Sequence, residues 1–153
     1  MFSFNSDSGE GKIILDALSA NIKQLAPSLT HFNCVANESW FKEKESNLDA
    51  LCEAIRAMTK ARSLLLGGNN FKSANECDKL VEAVAANRDV NDSLIDVEMS
   101  DLGGHNNKLF SEAAKAHIQA LRVKGVTVAE SMMDGHKMIQ SYMKWLQHHT
   151  SRE

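Results

Sequence analysis

Five of the six histidines, His105, His117, His136, His148 and His149, fall in the last third of this 153-residue chain. Imidazole moves protons and binds metals near neutral pH, so these are the first side chains to test for chemistry. On two helices meeting near Lys124, His117 and His136 face one interface about four residues out of register, or about 6 Å at ~1.5 Å per residue. That is close enough to share a water or a ligand, and makes them the weak candidates for a metal. Two histidines are nevertheless too few for a metal site, and a histidine bonded to a carbonyl explains each of them. Glu-x-x-His and His-Glu-x-x-His pairs are absent. A calcium loop opening at Asp89, Asn91 and Ser93 fails at Leu94, where glycine is needed, and at Ser100, where glutamate is needed. The expectation is a chain without metal or other cofactor.

Cys34, Cys52 and Cys77 are odd in number and lack metal-type spacing, which points to reduced thiols and a cytoplasmic protein. Each sits among aliphatic residues or beside Phe32, where a thiol packs as a small hydrophobe. No Gly-x-Ser-x-Gly elbow, phosphate-cradling glycine loop or paired-carboxylate signature occurs. The chain is therefore expected not to be an enzyme.

Partner binding has a positive signal. Met132, Met133, Met138 and Met143 crowd one segment together with Tyr142 and Trp145. Thioethers adapt to irregular surfaces, and helix-groove interfaces use methionine with aromatics. A single helical stripe accounts for Met132, Ile139, Tyr142 and Leu146, whereas Met133 and Met138 lie off it. The overflow predicts burial on two sides. The expected function is a non-catalytic protein-binding module of the adaptor, inhibitor, immunity-protein or chaperone type, self-associating as a homodimer through its last helix.

The formal charge of −3 hides an asymmetry: residues 76–104 carry two basic against eight acidic side chains, and residues 105–152 seven against three. This supports an alternative, a nucleic-acid-binding regulator, with Arg122, Lys124, Lys137 and Lys144 as anion contacts. Ile118, Leu121, Gly125, Val126 and Glu130 resemble the opening of recombinase-type helix-turn-helix modules. The recognition helix such a module needs does not follow, because Met132 to Leu146 continues as one stripe. A second alternative is a small-ligand or metal-binding helical bundle.

The elements that must position these residues read as helices. Proline occurs once, and Ala, Leu and Met make up a quarter of the chain. Ile14, Leu18, Ile22 and Leu25 mark a helix at 10–26, ended by Pro27, and residues 28–37 form a connector. Phe41, Leu48, Leu51, Ile55, Met58 and Leu65 fit one helix over 38–66, stopped at Gly67-Gly68. Ser73 with Glu76 is a capping box that opens a third helix, running to Asn87. A short helix is expected within 89–102, a fifth at 106–122, and a sixth at 127–148 behind a second capping box, Thr127 with Glu130. Gly68 to Ala74 resembles part of a tetratricopeptide helix, but the double glycine breaks it and no second copy exists.

The expected fold is thus all-α, a compact bundle of five to six helices without internal repeat, the last two forming an antiparallel hairpin. Residues 1–9 are read as a flexible arm, 10–149 as a single helical domain and 150–153 as a frayed end. No apolar run reaches the ~18 residues of a membrane span, and no leader precedes the domain.

Overall fold

The computed structural model describes residues 2–3 and 9–150. It overturns the all-α helical bundle: five short parallel strands form one sheet whose order across the sheet is their order in the sequence. The strands are β1 (Phe2–Ser3), β2 (His31–Asn33), β3 (Ser63–Leu65), β4 (Asp96–Glu98) and β5 (Thr127–Ala129). Between them lie α1 (Gly9–Ala20), α2 (Ile22–Leu25), α3 (Glu38–Glu43), α4 (Ser46–Ala57), α5 (Ala74–Val90) and α6 (Glu112–Val123), and α7 (Met132–Thr150) follows β5. Within the expected N-terminal arm, Phe2 and Ser3 pair with Phe32 and Asn33. Residues 4–8 and 151–153 lie outside the described residues.

Phe32, Leu64, Val97 and Val128 stand side by side across four strands, at intervals of 32, 33 and 31 residues. The chain therefore does repeat, and the repeat is a strand followed by a helical return on one face of the sheet. Leu29, Phe32, Cys34 and Asn37 have the same spacing as Ala61, Leu64, Leu66 and Asn69, and Leu94, Val97 and Met99 begin a third copy. A parallel solenoid needs such a pattern, because each strand must bury its inward side chains against the next repeat. Phe32, Leu64, Leu66, Val97 and Met99 have no exposed surface.

Asparagine satisfies the backbone where each strand turns away. Asn69 Nδ2 donates to the carbonyls of Cys34 and Leu66, at 3.2 and 2.6 Å, and its Oδ1 accepts from the Asn37 amide at 2.7 Å. The third turn recruits a distant residue. Asn107 Oδ1 accepts from the amides of Leu102 and Gly103, and its Nδ2 donates to the carbonyls of Met99 and Glu130. On the helical side, Asn87 Nδ2 reaches the carbonyls of Ile55 and Met58 at the end of α4. An amide bears both a donor and an acceptor, which suits it to irregular buried backbone.

The misread elements share one cause. A three-residue strand buried on both sides shows no alternation, so its apolar residues pass for part of a helical stripe. The expected helix over 38–66 breaks at Lys44, which is extended, resumes at Ser46, and ends before Leu65 enters β3. The connector holds β2, and the expected short helix at 89–102 is β4. Ser73 does cap its helix, its Oγ accepting from the Glu76 amide. Thr127 caps nothing, since it is a strand residue; Ser131 takes that place, accepting from the Asp134 amide. The expected antiparallel hairpin is also overturned. Ile118 and Leu121 of α6 join the core beside α5, whereas α7 packs on the opposite face of the sheet.

Candidate functional site

β3 is followed by a loop over 66–73 before α5, and β4 by one over 99–111 before α6, which lets each helix return to the same face. After β5 only Glu130 and Ser131 intervene. α7 does not join the other helices but crosses the face that they leave open. Its inward line is Gly135, Met138, Tyr142 and Trp145, at helical spacing.

Two rows of strand side chains look up at α7. One row is Asn33, Leu65, Glu98 and Ala129, all buried. Glu98 has no exposed surface, and its carboxylate accepts from the Gly67 amide at 2.9 Å, the Ser100 amide at 2.8 Å and the Ser100 hydroxyl. Three donors take the place of a basic partner, and the N-terminal turn of α7 above adds the positive end of the helix dipole.

The other row is His31, Ser63, Asp96 and Thr127. Here α7 does not close onto the sheet. A cleft of about 780 Å³ remains, floored by this row, with Arg62, Asp134, Lys137 and Ser141 around it and Met138, Tyr142 and Trp145 above. The His31 and Trp145 rings lie 4.3 Å apart between centroids, and the His149 ring lies 4.1 Å from Trp145, both pairs tilted. His31 Nδ1 is buried without a hydrogen-bond partner. Burial, and then the Arg62 guanidinium, hold the His31 imidazole below its ordinary pKa. Burial pushes the Asp96 carboxyl up, against the opposing pull of Arg62. Arg62 thus acts on both groups. No hydrogen bond joins His31, Ser63 and Asp96 into a relay, and Ser63 stands in the middle place that a proton-shuttling histidine would need.

The residues singled out from the sequence divide between the two sides of α7. Met138, Tyr142, Trp145 and Lys137 line the cleft. Met132, Met133 and Met143 face solvent, 56, 69 and 47% exposed. His136 and Lys144 border a shallow apolar depression on that outer side, with Ile139, Met143 and Leu146. His117 lies between α5 and α6 beside Asp89 and Lys124, so the structure does not bring His117 and His136 together. Of the other anion candidates, Arg122 donates to the Val128 carbonyl and Glu130, and Lys124 pairs with Asp89 at 2.8 Å. Among the described residues, no group of three His, Cys, Asp or Glu side chains is placed to hold a metal. Burial raises all three thiols, Cys52 to about 11 and Cys77 to about 12, so they are protonated at neutral pH.

Sequence reasoning missed His31, Arg62, Ser63 and Asp96. The signal was the recurrence of a polar residue just before Phe32, Leu64 and Val97, legible only once those three are known to be neighbours. Among the described residues, no helix is long and apolar enough to cross a membrane. No protein-family model, curated protein or solved structure matches the chain.

Proposed function

We propose that the chain is a non-catalytic protein-binding module that docks a partner, first of all a second copy of itself, on the outer face of α7. The observation that carries this reading is the exposure of Met132, Met133 and Met143 on a helix already anchored by its other side. Isolated exposed apolar residues are ordinary, but here three methionines are exposed on one helix, and one of them, Met143, borders an apolar depression with Ile139 and Leu146 of the kind that interfaces cover. The repeat supports the same reading, since solenoids present extended surfaces to partners. Three unpaired, buried thiols support a cytoplasmic location.

Light scattering over a concentration series tests it. The chain is expected to self-associate, and Met133→Glu with Met143→Glu to weaken that association by placing carboxylates in the seam, with the circular dichroism unchanged. A chain that stays monomeric throughout, or a dimer indifferent to both substitutions, overturns the reading.

A further inference from the structure

The cleft under α7 lies on the other side of that helix from the methionine patch, and its chemistry is different. Arg62 and Asp96 border it without pairing with each other, and neither they nor Lys137 form a hydrogen bond or ion pair with any described side chain. Opposite charges that border one cleft without forming an ion pair, beside an aromatic wall, form a recognition pattern for a ligand that carries both charges and an apolar body. We propose that the cleft binds a small zwitterion of the amino-acid type with an apolar or aromatic side chain: Arg62 and Ser63 take its carboxylate, Asp96 its ammonium, and Tyr142 and Trp145 its side chain.

The positions agree with this assignment. Ser63 and Asp96 are direct neighbours across β3 and β4, about 4.8 Å apart by strand spacing, a gap that the two ends of one α-amino acid can bridge with a hydrogen bond at each side. Trp145 is partly exposed, lines the cleft and makes tilted ring contacts with His31 and His149. His31 lines the cleft beside Ser63, its neighbour across β2 and β3. Two basic side chains, Arg62 and Lys137, and two acidic ones, Asp96 and Asp134, border the cleft, so a simple anion and a simple amine would each face like charge. A zwitterion satisfies both. The desolvation that raises the Asp96 carboxyl is relieved when an ammonium group sits against it.

The test is a titration of the 15N-labelled full chain with L-phenylalanine, 3-phenylpropionate, which lacks the ammonium, and 2-phenylethylamine, which lacks the carboxylate. The indole N–H of Trp145 is expected to shift with L-phenylalanine. That of Trp40, buried and bonded to Asp16 at 2.9 Å, stays still as an internal control. Each singly charged analogue should bind about tenfold or more weakly, since one charge-assisted hydrogen-bond set is lost. R62M and D96N should weaken L-phenylalanine to a similar degree with the helical signal retained. No shift of Trp145 at millimolar L-phenylalanine, equal binding of all three probes, or variants that bind as the parent does would each overturn the proposal. The analogue series needs no variant, so a misfolded substitution leaves the test intact. The methionine patch plays no part in any of these outcomes.

Discussion

Gly135, in the first turn of α7, rests on the buried Glu98: a Cβ built on Gly135 would stand 3.0 Å from Glu98 Oε1 and 2.5 Å from Ser100 Oγ. The helix reaches the sheet here because this residue has no side chain. That contact sets the depth of α7 at one end, and the cleft opens toward the other.

Gly135→Ala should accordingly lift α7. Overpacking a close contact costs about 1–3 kcal/mol, and here the nearest atoms are Ser100 Cβ and Oγ, which leave little room to yield. The expected result is a lower urea midpoint and a red-shifted Trp145 emission with helix content retained. A variant as stable as the parent, with unchanged emission, would show that α7 does not sit this deep.

Asn87→Ala removes the donor that serves the Ile55 and Met58 carbonyls, at 2.8 and 3.0 Å, from a side chain with no exposed surface. Each carbonyl keeps a backbone donor, the Met58 amide on Ile55 and the Ala61 amide on Met58, so the loss is that of two buried side-chain hydrogen bonds, about 0.5–1.5 kcal/mol apiece. Chemical denaturation should place the loss in that range. A change below ~0.5 kcal/mol, the usual scale of a surface substitution, would contradict the bonding described.

Core burial gives a direct contrast. Leu64→Ala or Ile55→Ala, both without exposed surface, should cost about 2–5 kcal/mol through lost transfer energy and a cavity. Ile13→Ala, at a position 68% exposed, should stay within about 0.5 kcal/mol. Equal losses at the three sites would mean that the inward face is misassigned.

His31 makes stability depend on pH in a defined direction. Its folded pKa lies below the ordinary 6.5, so the unfolded chain takes up a proton first as pH falls. Stability from keeping this imidazole neutral is present above pH 6.5 and is lost as pH falls through the folded value. Asp96 runs oppositely: its folded pKa is raised from 3.8, so its contribution is present at low pH and lost as pH rises through the raised value. His31→Gln should flatten the decline in stability below pH 6.5, and Asp96→Asn the decline on the alkaline side of 3.8. Denaturation curves across that range read both.

Much of the helical layer was legible in the sequence. The face Leu48, Leu51, Ile55 and Met58 is buried as its spacing requires, and Ser73 caps α5 where Glu76 follows three residues on. These features are local, since a helix bonds within itself and its stripe needs only a neighbour to cover it. The concentration of methionine and aromatics in the last helix was legible too, but not which side each faces: Met138, read as lying off the stripe, lines the cleft, and Met132, read as on it, is 56% exposed. Tertiary structure alone decided the sheet. Each strand is two or three residues long and pairs with one thirty or more residues away, so its hydrogen bonds leave no local periodicity to read. The cleft depends on that pairing: His31, Ser63 and Asp96 become a row only when three distant segments are in register, and α7 covers them where Gly135 lets it rest on Glu98 and Ser100.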